Sequence, residues 1–196
     1  MTKNLYIMRH GQTIFNERGK MQGWSDAPLT DKGIAQAKIA GKYFKDNDIH
    51  FDAAYSSSSE RATDTLELVT DMPYERRKGL REMYFGLFEG ENKDLNPLNS
   101  RYELFYDAFV QYGGEDMVDV QKRVTKELID IMNNDNDNVL VVSHYVSILA
   151  FTNQWYDSVK VLKSGFTNCS IIKFSFDDDK FKLDEIINHD YSDLDK

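Results

Sequence analysis

The chain has 196 residues, 41% of them hydrophobic, and a single cysteine, Cys169. That length fits one domain of ordinary size, able to bury roughly 70% of its unfolded surface, and a lone thiol excludes an internal disulfide framework. A formal net charge of −9 argues against general affinity for nucleic acid or an anionic membrane, both of which select a basic face.

Residues 5–8, Leu-Tyr-Ile-Met, form a short apolar run of strand formers. The run is too short for the apolar core of a signal peptide, and Arg9-His10 closes it. No apolar stretch approaches the ~18 residues of a membrane span, so a soluble, cytoplasmic protein is expected. Residues 30–45 carry Ile34, Ala37, Ala40, Tyr43 and Phe44 at helical spacing, with Thr30 as N-cap. A second strand is expected at 52–55 and a helix at 59–69. The clearest helix is 116–132, where Met117, Val120, Val124, Leu128 and Ile131 recur every three or four residues. Val139-Leu140-Val141-Val142 reads as a strand covered on both faces, and a helix follows over about 146–155. Residues 170–176 and 181–187 flank Asp177-Asp178-Asp179 as a hairpin. The polar stretch 133–138 lacks the glycine and closing glutamate of a calcium loop and reads as a helix-to-strand turn. Cys169 reads as a small core residue in a strand, and His50 and His189 as structural or exposed.

Strand and helix patterns alternate. The expected fold is α/β: three layers, a mostly parallel sheet flanked by helices, a C-terminal hairpin at one edge, and one domain over 1–196. Ligands of such folds bind beyond the carboxyl ends of the strands. The first strand delivers Arg9-His10-Gly11 there, the second Ser56-Ser57 and then Arg61, and the covered strand Ser143-His144. A lone histidine after a strand is more often a structural hydrogen-bonder, and a lone arginine a solvated surface group. Two of each at one sheet edge repel one another unless an anion sits among them. Phosphate fits, because guanidinium forks match its oxygens.

These residues carry a resemblance. Arg9-His10-Gly11-Gln12-Thr13 with Asn16, then 23–30 and Gly33, is similar to the opening of the histidine phosphatase (phosphoglycerate mutase) superfamily. Ser56-Ser57 with Arg61-Ala62-Thr63 and Thr65 resembles its second motif. Leu80-Arg81-Glu82, Phe85-Gly86 and Glu89-Gly90 resemble its acid-bearing segment, and Val141-Val142-Ser143-His144 its last motif. The resemblance implies that His10 is the nucleophile, with Arg9, Arg61 and His144 around the phosphoryl oxygens and Glu82 as the proton donor to the leaving group. It also implies that Asn16 and the Gly23 amide bind phosphate. Gly11 gives the backbone freedom to turn sharply beside it. Glu60 and Glu89 rank below Glu82 as the acid. The expected reaction is hydrolysis of a small-molecule phosphomonoester through a phosphohistidine, with no metal and no other cofactor. The alternatives are mutase-type transfer and a non-catalytic phosphate-binding scaffold.

Two features bear on substrate. A cap segment at about 91–115 holds Lys93 and Arg101 against Glu91, Asp94, Glu103, Asp107 and Glu115. With Tyr102, Phe105, Tyr106, Phe109 and Tyr112 it reads as acidic and aromatic, suited to a monophosphate with an apolar body. Tyr145 stands where the family has glycine. It either faces the pocket as a substrate-binding ring or packs away. Nothing in the sequence fixes the oligomeric state.

Overall fold

The computed structural model describes residues 2–97, 107–162 and 165–195. Six strands form one sheet: β1 (Lys3–Arg9), β2 (Ala53–Ser57), β3 (Tyr74–Arg77), β4 (Asn138–Ser143), β5 (Ile171–Asp177) and β6 (Lys180–Ile187), in the order β3-β2-β4-β1-β5-β6. The pairs β3-β2, β2-β4 and β4-β1 are parallel, and β5 and β6 are antiparallel. The fold is therefore the expected α/β arrangement with a hairpin at one edge. The hairpin turns on Asp178 and Asp179, both left-handed with φ of 47° and 55°, as a two-residue turn of the primed kind requires.

The α-helices among the described residues are α1 (Ile14–Glu17), α2 (Asp31–Asp46), α3 (Glu60–Val69), α4 (Met117–Met132), α5 (Tyr145–Asn153) and α6 (Ser158–Leu162). Strand alternation divides the core in two. Leu5, Ile7, Val139 and Val141 pack with Val120, Val124 and Leu128 of α4 and Ile148 of α5. Tyr6, Met8, Leu140 and Val142 pack with Ala37, Ala40 and Phe44 of α2 and Leu66 of α3. Among the described residues no helix is long and apolar enough to cross a membrane.

Two local expectations change. Cys169 is buried but lies in a turn before β5, at a φ of 57°, not in a strand. Burial pushes its thiol pKa up to about 12. Gly11 is absent from the left-handed positions, so sharp turning is not its role. A Cβ there would stand 2.7 Å from the Gly33 carbonyl oxygen, and glycine lets the loop after β1 approach the first turn of α2. The edge strand β3 and the one-turn helix α1 carry no periodic signal in the sequence.

Candidate active site

Because β1, β4 and β2 are neighbours and parallel, their carboxyl ends lie side by side. His10 follows β1 and is held there by its own N–H, which donates to the Ser143 carbonyl at 3.0 Å. Its ring is buried, with Nδ1 2.8 Å from the Gly11 carbonyl oxygen. A carbonyl only accepts, so Nδ1 carries the hydrogen and Nε2 is left as a lone pair. Burial, then Arg61 and Arg9, hold the His10 pKa well below its ordinary value. These favour the neutral imidazole, whose Nε2 presents its lone pair.

Arg61 comes from the first turn of α3 and is fully buried. Its Nε donates to His10 Nε2 at 3.3 Å. One terminal nitrogen donates to the Ser25 carbonyl and to Asp26 Oδ1, each at 3.0 Å. The other donates to the Gly23 carbonyl at 2.8 Å and to Gln22 O at 3.4 Å. All five N–H groups are thus engaged, and a ligand oxygen would displace one of these contacts. Burial lowers the Arg61 pKa, with Asp26 opposing. Arg9 differs: its Nε is buried with no hydrogen-bond partner, and its guanidinium carbon lies 5.2 Å from the Tyr145 ring centroid. Burial lowers its pKa too, with Glu82 opposing.

His144 follows β4 as the N-cap of α5, yet its side chain does not cap the helix. Its ring stands 5.2 Å from that of His10, Nε2 is 2.7 Å from Ser57 Oγ, and Nδ1 is buried without a partner. The capping is done by Glu82. Its Oε2 accepts from Val146 N at 3.0 Å, and its Oε1 from Ser147 N and Met83 N, both at 2.9 Å, and from Ser147 Oγ at 3.2 Å. Burial raises the Glu82 pKa, and the amide donors and Arg61 partly offset that rise.

The remaining sequence candidates take more structural positions. Asn16 Oδ1 accepts from Thr13 N at 3.3 Å, as half of a capping box on α1, and from Asn168 Nδ2 at 3.2 Å. Asn168 Nδ2 also donates to the His10 carbonyl at 3.0 Å. Gly23 N–H donates to Glu89 Oε2 at 3.2 Å, which leaves that amide already engaged. Glu89 also accepts from the amides of Trp24, Ser25 and Phe85 and from Ser25 Oγ. It ties the loop whose carbonyls hold Arg61 to the segment after Glu82, a positioning task distinct from acid catalysis. Glu60 pairs with Arg76 at the surface. Three residues near the site were not singled out for a role by sequence. Gln22 accepts from Thr13 Oγ1 at 2.6 Å and leaves its buried Nε2 unpartnered. Ser57 meets His144. Thr65 Oγ1 accepts the Gly11 N–H at 3.0 Å.

Tyr145 is half-buried, stacked toward Arg9, with its ring 6.2 Å from that of Phe166. Of the cap, Arg101, Tyr102, Glu103, Phe105 and Tyr106 lie outside the described residues. Phe109 is fully buried beside Phe85 and Phe88, and Tyr112 packs edge-on to Phe88 at 4.9 Å. Phe109 thus packs in the core, as expected for part of this aromatic set, and Tyr112 stays half-buried beside it. Glu115 is likewise committed, to Arg123 at 2.8 Å and to Tyr84 N.

A family model described as histidine phosphatase superfamily (branch 1) matches residues 5–189. A 2,3-bisphosphoglycerate-dependent phosphoglycerate mutase of Bacteroides fragilis is 39% identical over 97 residues, covering 46% of this chain and 39% of that protein. The chain therefore matches about two fifths of that relative's length. A phosphoglycerate mutase structure from Bacillus anthracis is 31% identical with a TM-score of 0.78, covering 93% of this chain and 92% of that one. A phosphoserine phosphatase from Entamoeba histolytica, in complex with 3-phosphoglyceric acid, is 26% identical with a TM-score of 0.78, covering 95% and 97%.

Proposed function

Since the chain belongs to the histidine phosphatase superfamily, we propose that it hydrolyses a phosphomonoester in two steps through a phosphohistidine on His10, without a metal. The observation that carries this reading is the state of His10: a buried neutral imidazole whose Nε2 is a lone pair, beside an unpartnered donor on Arg9 and an unpartnered ring nitrogen on His144. Nε2 attacks phosphorus and the ester oxygen leaves. Charge then spreads over three equatorial oxygens. Arg9 Nε, His144 Nδ1 and the Arg61 charge stabilise that charge, the task a divalent cation performs elsewhere. Glu82 gives the leaving oxygen a proton. Water then attacks the phosphohistidine, Glu82 takes the water's proton, and inorganic phosphate departs. Oε2 of Glu82 has one donor where Oε1 has three, so Oε2 is the oxygen with room for the proton.

Hydrolysis is preferred to mutase transfer because the cap segment 91–115 sets only Lys93 and Arg101 against Glu91, Asp94, Glu103, Asp107 and Glu115. A bisphosphorylated acid needs cations there. The mutase reading has its own support in the names of the two relatives above with 31% and 39% identity. Assays with an aryl phosphate, and with glycerate phosphates primed by the bisphosphate, separate the two. Turnover of the aryl ester should survive exhaustive chelation. Its loss on adding EDTA and return with a divalent ion would refute the metal-free reading, and binding without turnover would indicate a scaffold.

Tyr145 acts here through Arg9. Stacking of a desolvated guanidinium on an aromatic ring is worth about 1–2 kcal/mol, so Tyr145→Leu should raise KM by about 5- to 30-fold for every phosphate ester alike. The check is a substrate panel on the folded variant. A change confined to bulky esters would instead place the ring against the leaving group.

A further inference from the structure

We propose that Ser57 is a positioning residue that fixes the tautomer of His144, placing the ring hydrogen on Nδ1 as a donor to the transferring phosphoryl group. The inference rests on the phosphoryl-transfer reading above. It begins with which groups near His144 can donate. His144 is the N-cap residue of α5, but Glu82 takes the amides of Val146 and Ser147, which frees the His144 ring from capping. The ring is fully buried, and burial, then Arg61, His10, Arg123 and Arg9, hold its pKa well below the ordinary value. A neutral imidazole has one donor nitrogen and one acceptor nitrogen.

Ser57 decides which is which. It ends β2 and is fully buried. Its Oγ accepts the Ser59 N–H at 3.3 Å and lies 2.7 Å from His144 Nε2. Among the described residues, Nε2 is the one acceptor within hydrogen-bond distance of that hydroxyl. A buried hydroxyl hydrogen is expected to find an acceptor, so Ser57 donates to Nε2. The ring hydrogen then sits on Nδ1, the nitrogen that is buried and unpartnered. The other tautomer would leave the Ser57 hydrogen unused and turn a lone pair toward the anion. Ser59 is the N-cap residue of α3, whose first turn bears Arg61. One short run, 57–61, therefore orients both His144 and Arg61.

The test is nitrogen NMR of the whole protein labelled with ¹⁵N-histidine. His144 should show a protonated Nδ1 and a bare Nε2. A protonated Nε2 in the wild type overturns the proposal. In Ser57→Ala the two nitrogens should move toward a tautomer mixture, and kcat for an aryl phosphate should fall about 10- to 100-fold, with a smaller change in KM. A folded Ser57→Ala protein with the wild-type nitrogen pattern and kcat also overturns it. If the wild type shows the expected nitrogens yet turns over no phosphate ester, the enzymatic reading fails and the hydrogen-bond assignment stands, so the two failures are distinguishable.

Discussion

His10→Ala should form no phosphoenzyme and should lose roughly 10⁴–10⁶-fold of its turnover, the scale seen when a covalent nucleophile is removed. Nε2 is the atom that attacks. The hydrogen bond from Nδ1 to the Gly11 carbonyl fixes the tautomer, and burial with two neighbouring guanidinium groups keeps the ring unprotonated. Rapid quench of the wild type with labelled substrate should trap an adduct labile in acid and stable in base. Undiminished label in His10→Ala would remove His10 from the role. Truncation also leaves the buried Arg61 Nε without its acceptor, so folding of the variant is checked separately. A buried histidine with a depressed pKa binds its proton in the unfolded chain first, so it lowers stability as pH falls below its ordinary 6.5. Removing it should leave the protein at least as stable at pH 5 relative to pH 7 as the wild type, which thermal melts at the two pH values would check.

The parts of the fold that were legible in the sequence are those that bury a periodic face. The helix at 116–132 and the run 139–142 fall within a residue or so of α4 and β4 because each must present apolar groups to a defined layer. Edge strand β3, Tyr-Glu-Arg-Arg, pairs on one side only and remains largely exposed. Nothing in its composition opposes a loop. Helix α1 has one turn and no buried residue, and its capping box is the one local signal.

The site divides in the same way. Arg9, His10 and His144 were readable because they stand at or directly after the carboxyl ends of strands, where topology brings distant segments together. Arg61 was readable through its motif, but not its saturation. Which of its five donors are engaged depends on the carbonyls of Gln22, Gly23 and Ser25, and backbone acceptors leave no trace in residue type. Glu89 looked like a weaker copy of Glu82. In the fold the two carboxylates divide two tasks: Glu89 gathers loop amides, and Glu82 caps α5, the helix that begins at His144. Ser57 was legible as a motif residue but not as the partner of His144, and Gln22 carries no signal in the sequence that separates it from an ordinary loop residue.

Glu82→Gln should slow turnover by about 10²–10⁴-fold, the range for loss of a general acid. The deficit should be largest for alkyl esters and smallest for aryl esters that leave without help. Burial raises the Glu82 pKa, and a dianionic phosphate nearby raises it further, so the carboxyl holds a proton above the ordinary carboxylate range. The basic limb of the wild-type kcat/KM profile should report its loss and be absent from the variant. Stability should move as well. A group whose pKa is raised on folding stabilises most below its unfolded pKa, and that contribution is lost as pH rises through the folded value. Glutamine removes this dependence but presents an NH₂ group to the amides that the carboxylate accepts. Leaving Val146 N–H unpaired costs about 1–3 kcal/mol, and α5, with His144 at its start, becomes easier to fray. That structural damage slows every substrate equally, whereas loss of the proton slows each in proportion to the basicity of its leaving group. The measurement is therefore kcat/KM against leaving-group pKa for a series of phosphate esters. A steeper slope in the variant assigns Glu82 to proton transfer. Parallel lines, displaced by the same factor throughout, would reduce Glu82 to a helix cap and leave the proton donor unassigned.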